Sequence, residues 1–342
     1  MDDILFEQRG CIGLITLNRT KALNALSQPM VKAMAGQLTV WRDDSTISAV
    51  VVTSASEKAF CAGGDIRAVY DSRENPLYDF FYDEYSLNQA IHRYPKPYIS
   101  LINGIVMGGG VGISMHGRYV VLGENTLFAM PEVGIGFFPD VGGSYLLSRM
   151  TGRAGYYCGM TGARVKRGDC FAFGLGTHAI AGERFDEIIE RLSEGEDPEA
   201  LLDAMHKPVD PESPSETLDE LNDLFASDNA LDVLAALRAS ESDFARKTLD
   251  SMVEKSPTSV HLTLEQIRRG TDQSFEECMQ MEYRMVKRIL KDSDFYEGVR
   301  ATLVDKDKKP HWNPDNFDKV DAAHIKDHFA PLEDQELTFN SQ

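Results

Sequence analysis

The sequence predicts an α/β fold with parallel strand pairing, continued by a helical C-terminal region. Short β-branched runs of strand length recur in the first half. Glycine-rich turns follow two of these runs, and from about Glu183 apolar residues recur at helical spacing instead.

Ile12 to Leu17 is the first such run. After Ser27, a good N-cap with Pro29 in the first turn, Met30, Met34, Leu38 and Trp41 share one helical face. Ala49 to Thr53 is the next strand, and Tyr98 to Ile102 a third, its entry punctuated by Pro95 and Pro97. Later, Phe185, Ile188, Ile189 and Leu192 mark one amphipathic helix, and Leu218, Leu221 and Phe225 another. Met279, Tyr283, Val286 and Leu290 mark a further one. The proline-rich stretch Lys207 to Pro214 reads as an exposed connection. These textures divide the chain into a core of residues 1–182 and an acidic, mainly helical region of residues 183–342.

A chain of 342 residues, 42% hydrophobic and 26% charged, suits one large core or two domains of an ordinary globular protein. No apolar run is long enough to span a bilayer, so no membrane is expected as a partner. The opening Met1-Asp2-Asp3-Ile4-Leu5-Phe6 lacks the basic and apolar regions of a secretory signal and is not an Arg-rich transit peptide. Five scattered cysteines without a C-x-x-C pair fit a reducing, cytoplasmic setting; a mature organelle-matrix protein would look the same. The net charge of −19 argues against nucleic acid. Residues 1–182 carry 16 acidic and 16 basic side chains, whereas residues 183–342 carry 38 and 19. The neutral half therefore accepts an anionic ligand without an opposing field.

Several catalytic signatures are missing: H-E-x-x-H, the P-loop and G-x-S-x-G, while the glycine run at Gly108 misses the G-x-G-x-x-G register. No metal site is expected. Chemistry must then come from carboxylates and backbone amides. Glu132 and Asp140 stand in an otherwise apolar loop, Met130 to Gly143, punctuated by glycine and proline. Carboxylates sharing such a pocket push their pKa values apart, which suits acid–base work. On the loop alone, helix capping explains them equally well. Two glycine turns, Phe60 to Ile66 and Asn103 to Gly112, offer close-approach amides of the kind that form an oxyanion hole. Cys61 beside the first turn has no histidine near it in sequence and reads as a small packed residue.

Lys21-Ala22-Leu23-Asn24-Ala25-Leu26, Phe60-Cys61-Ala62-Gly63-Gly64-Asp65 and the Gly108–Gly110 turn resemble the crotonase (enoyl-CoA hydratase/isomerase) superfamily. Within it, the chain is most similar to the 3-hydroxyisobutyryl-CoA hydrolases. The resemblance runs through Met130-Pro131-Glu132 and Phe138-Pro139-Asp140, then into Ser256 to Ser259, Phe295 to Ala301 and Asp305 to Asp307.

The resemblance implies a spiral of ββα units followed by helices, acting on an acyl-CoA thioester. It implies that the amides of Gly64 and Gly109 hold the thioester oxygen and that Glu132 and Asp140 are catalytic. Glu84 would contact the substrate. Lys21, Ala22, Leu23, Ala62, Asp65 and Ile66 would meet the adenine, largely through backbone atoms. Lys21, Lys58, Arg67 and Arg153 are candidates for the CoA phosphates, each with an ordinary surface role as the alternative. No separate cofactor is implied, since coenzyme A is part of the substrate, and a homo-oligomer is compatible with the family. One departure matters: hydratases carry a glutamate where this chain has Gly112, and often glycine where it has Asp140. The expected activity is thioester hydrolysis, with a hydratase or isomerase, or a silent acyl-CoA-binding subunit, as alternatives.

Overall fold

A computed structural model describes residues 2–333 and 335–339; Met1, Asp334 and residues 340–342, which fall within the two expected segments, lie outside the described residues. The chain packs as two compact units, neither continuous in sequence. The first comprises residues up to Asp65, Asp83–Phe128 and Val165–Glu212; the second comprises Ile66–Tyr82, Ala129–Arg164 and the residues from Ser213 on.

Among the described residues, ten strands form two sheets: β1 (Ile4–Arg9), β2 (Ile12–Leu17), β3 (Ala49–Ser54), β4 (Ala59–Cys61), β5 (Tyr98–Ile102), β6 (Ile105–Met107), β7 (Tyr119–Leu122), β8 (Leu127–Ala129), β9 (Val165–Lys166) and β10 (His178–Ala179). The larger sheet runs β1-β2-β3-β5-β7-β10 and the smaller β4-β6-β8-β9. After an antiparallel β1–β2 hairpin, every neighbour in the larger sheet is parallel. Strands β3, β5 and β7 enter the larger sheet, and the strand after each, β4, β6 and β8, enters the smaller. This repeat of two strands in different sheets is the expected ββ pairing of the spiral.

The three strands read from sequence are present to within a residue. Their continuous β-branched runs are buried on both faces, as parallel strands require. One face of the sheet, with Leu14, Val51, Ile99 and Val121, packs against Ile188, Leu192, Leu201 and Met205. Each such side chain contributes about 1.5–3 kcal/mol by leaving water. On Gly13 a Cβ would lie 2.4 Å from Trp41, so this glycine lets the Gln28–Asp43 helix approach the sheet closely.

The change of texture near residue 183 is visible in secondary structure: among the described residues no strand follows β10. The packing units nevertheless interleave. Helices Phe185–Ser193 and Pro198–Met205 bury their apolar faces on the sheet of the first unit. The exposed connection around Lys207 to Pro214 then leads into the second unit.

That second unit is helical. Its core places Ala154–Thr161 against Pro257–Gly270, where Gly159 leaves room for Thr263 and Ile267. Phe275–Ile289 and Ser293–Val299 complete the surroundings of the Glu132–Asp140 loop. Phe137 stacks on Phe138 at 4.7 Å and meets Phe81 at 5.8 Å and Phe295 at 5.5 Å, an aromatic cluster that accounts for the loop's apolar character.

Candidate active site

In the first unit the two glycine turns come together. A Cβ on Gly109 would lie 3.2 Å from the Gly64 nitrogen and 2.6 Å from Glu84 Oε1. Gly109 opens the short Gly109–Gly112 helix, where first-turn amides have no intrahelical acceptor. At Gly64 a single β-bridge to Leu26 uses the Gly63 carbonyl and the Asp65 amide instead of Gly64's own. Among the described residues, neither the Gly64 nor the Gly109 amide donates to a backbone acceptor. The pair is therefore a built set of donors for a developing oxyanion.

Glu84 lies on the Tyr78–His92 helix and is buried. Asn88, one turn further along, is wholly buried with neither end of its amide hydrogen-bonded. Buried amides without partners are rare in native proteins, so Asn88 is a functional candidate that sequence reading missed. Its only sequence signal is its i+4 spacing from Glu84. Cys61 donates to the Asn24 carbonyl at 3.1 Å, and burial pushes its thiol up to about 12. A thiol so disfavoured as thiolate is a poor nucleophile, in keeping with a packed residue.

The segments expected to meet adenine are also joined. Ala62 donates to Leu23 O at 3.0 Å, and Arg19 holds the Asp65 carboxylate at 2.8 Å. The amides of Ala22, Leu23, Ala62 and Asp65 all donate within the protein, which leaves ligand recognition there to carbonyl oxygens. Ile66 follows Asp65 directly and opens the Ile66–Asp71 helix of the second unit. Of the four cations considered for phosphates, Arg67 pairs with Asp71 and Arg153 with Asp228. Lys21 and Lys58 are exposed and without an ion pair among the described residues.

In the second unit, Glu132 begins a 3₁₀ turn, Glu132–Ile135, that follows Pro131 and closes on Gly136 in the left-handed conformation. Glu132 and Asp140 are both buried. Glu132 is the first residue of that turn, and its Oε2 is buried without a hydrogen-bond partner. Burial, then the neighbouring Asp140, raise its carboxyl well above the usual carboxylate range, against the pull of a hydrogen bond from its own amide. The helix Gly143–Leu147 begins just after Asp140. Glu282 takes the amides of Gly142 and Ser144, each at 2.8 Å, and the Asp140 carbonyl takes that of Gly143.

Glu282 was invisible to sequence reading. It is wholly buried on the Phe275–Ile289 helix, and burial pushes its carboxyl up to about 8 against the pull of the two amides. Val141 and Gly142 both have positive φ, 54° and 84°. For a β-branched valine that conformation costs about 1–3 kcal/mol and persists only where surroundings over-determine it. Glu282 supplies part of that constraint, and Gln266 adds more by donating to the Pro139 carbonyl at 2.6 Å. Asp140 is held on a strained, pinned loop.

Two sheets fed by alternate strands, with two glycine turns meeting in the first unit and a buried carboxylate loop in the second, are the features to be placed in a family. A family model described as enoyl-CoA hydratase/isomerase matches residues 12–329, and the chain belongs to that family. Within it, the chain is similar to the mitochondrial 3-hydroxyisobutyryl-CoA hydrolases of Xenopus tropicalis and Danio rerio. Each is 42% identical over 98% of this chain, covering 90% and 91% of the relative respectively. Among solved structures it is similar to one described as a carnitinyl-CoA dehydratase from Mycobacterium thermoresistibile, with TM-score 0.94 and 40% identity over 100% of both chains. The chain has the crotonase fold.

Proposed function

We propose that the protein hydrolyses the thioester of a short, branched 3-hydroxyacyl-CoA, releasing coenzyme A, and that its substrate is 3-hydroxyisobutyryl-CoA from valine breakdown. The observation that carries this reading is the similarity, along nearly the whole chain, to proteins named for that hydrolysis. The residues supply the chemistry.

The Gly64 and Gly109 amides receive the thioester oxygen as it gains charge, each donor contributing about 2.7–4 kcal/mol in the transition state. Glu132, with one oxygen unclaimed, acts on the polarised carbonyl. As nucleophile it forms a mixed anhydride, the C–S bond breaks and the thiolate leaves to take a proton; water then opens the anhydride and restores the carboxylate. As general base it takes the proton of a water that attacks directly. Asp140 positions that water and tunes Glu132. Glu84 hydrogen-bonds the substrate hydroxyl, which disfavours acyl groups lacking it. The carbonyl oxygens around Lys21–Leu23 and Ala62–Ile66 accept from the adenine amino group, with Lys21 facing a phosphate. Coenzyme A enters only as part of the substrate, and no metal takes part in this reaction.

Five free cysteines suit a reducing compartment, the cytoplasm or an organelle matrix. Among the described residues no helix is long and apolar enough to cross a membrane.

A hydratase-like reading is favoured by the solved structure described as a dehydratase, and opposed by Gly112 in the place of a hydratase glutamate. Thiol release over a panel of acyl-CoA esters separates the two. The expected result is release from 3-hydroxyisobutyryl-CoA, lost by at least about 10³-fold in Glu132→Gln. Hydration of an enoyl-CoA without thiol release would overturn the proposal, as would full hydrolysis by Glu132→Gln. Single turnover in ¹⁸O-water distinguishes the routes: label in the Glu132 side chain marks the anhydride.

A further inference from the structure

Asp292, His324 and His328 form a metal-ligating cluster outside the machinery described above, all within the second unit. His324 and His328 stand four residues apart on the helix Ala322–His328, so their imidazoles leave the same face. The Nε2 atom of each lies 3.1 Å from Asp292 Oδ2, and one ligand atom from each of the three residues falls within 4.8 Å of the others.

The hydrogen bonding of His328 points to more than an ion pair. Its Nδ1 lies 2.9 Å from the His324 carbonyl, which can only accept, so Nδ1 carries a proton. In the neutral ring Nε2 is then a bare lone pair. That atom is buried, yet it has no hydrogen-bond partner although a carboxylate oxygen stands 3.1 Å away. Nε2 and Oδ2 stand close enough to each other, and to a ligand atom of His324, to serve one cation. An Nδ1–H donated to a backbone carbonyl is also the usual outer-shell support of a metal-bound histidine.

Asp292 adds a separate sign. It occupies the N-cap of the helix Ser293–Val299, where an aspartate ordinarily accepts a backbone amide, but it makes no side-chain cap there. Its carboxylate is turned to the imidazoles instead.

We propose that Asp292, His324 and His328 bind a divalent first-row transition ion of the Zn²⁺ type. Two imidazoles and one carboxylate suit such an ion, whereas Ca²⁺ and Mg²⁺ take oxygen ligands. His324 and Asp292 are 44% and 26% exposed, so water completes the coordination. The ion ties the Ala322–His328 helix to the start of the Ser293–Val299 helix. The latter packs directly on the Glu132 turn: a Cβ on Gly136 would lie 2.3 Å from the Asp294 backbone, and one on Gly298 would lie 2.4 Å from that of Ile135. The site is a structural clip behind Glu132 and takes no part in bond cleavage.

The test uses full-length protein freed of metal by a chelator, titrated with Zn²⁺ by calorimetry and with Co²⁺ by visible absorption, alongside His324→Ala and Asp292→Asn. His324 is exposed, so its replacement leaves the fold intact. We expect one saturable site, a Zn²⁺-dependent rise in Tm, and Co²⁺ d–d bands without the thiolate charge-transfer band that the cysteines would give. Each variant should weaken binding by at least about tenfold. No saturable binding, a thiolate spectrum, or unchanged affinity in both variants would overturn the proposal. None of these readouts depends on thioesterase activity.

Discussion

Glu282 accepts the amide of Gly142 at 2.8 Å, and through its other oxygen the amide of Ser144 at the same distance. One buried side chain, 140 residues away in sequence, thus closes the start of a helix and fixes the strained residue that follows Asp140. Removing it leaves two buried donors unpaired, each costing about 1–3 kcal/mol. We expect Glu282→Ala to lower kcat by about 10- to 100-fold with a smaller change in KM, because Asp140 loses its position while the CoA contacts remain. Glu282→Gln, which keeps one acceptor oxygen, should recover part of the rate. Equal loss in KM and kcat, or no recovery with Gln, would count against a positioning role.

The same carboxyl makes stability depend on pH. Its native pKa is pushed up to about 8 from an ordinary 4.5. Between those values the native state holds a proton that the unfolded chain releases, so the free energy of unfolding falls as pH rises through this window. Glu132, also raised, acts in the same direction. Denaturant titrations at a series of pH values should show this decline, and Glu282→Gln should flatten it.

Asp140 is the second cause, after burial, of the raised Glu132 carboxyl. Glu132 must be ionised to act as nucleophile or base, so activity climbs with pH along a limb set by its pKa. Asp140→Asn removes a negative neighbour and should move that limb to lower pH, while lost water positioning lowers the plateau. A pH profile of kcat/KM reads both effects. A limb that stays in place in Asp140→Asn would mean that another group titrates.

The fold was legible where the physics is local. Strands β2, β3 and β5 announce themselves as β-branched runs buried on both faces. Strands of two or three residues, such as β4, β9 and β10, are too short to carry a period. Glu132 and Asp140 stood out as charges among apolar neighbours. Glu282 did not, since its helix is rich in charged residues and its burial depends on a distant loop. Asn88 was hidden for the same reason among the tyrosines and acids of its helix. The helices after residue 183 were readable as helices, but which sheet the first two cover is a tertiary fact that spacing does not encode.

Gly109 offers a test of the amide pair. A Cβ there would press on Glu84 Oε1 at 2.6 Å and stand 3.2 Å from the Gly64 nitrogen. Gly109→Ala should cut kcat by about 10²-fold, the loss that follows removal of one oxyanion donor. Gly110→Ala is the contrasting change: its Cβ would lie 2.3 Å from the backbone oxygen of Cys61, which cannot move without its strand. We expect that variant to lose stability first, seen as a lower Tm, whereas Gly109→Ala loses activity far more than stability.

Gly36 is the opposite case. It lies inside the Gln28–Asp43 helix, its φ is not in the left-handed region, and a Cβ there would meet nothing within 4 Å. The glycine therefore contributes only excess freedom to the unfolded chain. Gly36→Ala should stabilise the protein by about 0.5–1 kcal/mol without altering activity. Denaturant unfolding with an unchanged m-value would register this as a higher midpoint. A lower midpoint would mean that the open space beside Gly36 is filled in solution, most simply by a second copy of the chain.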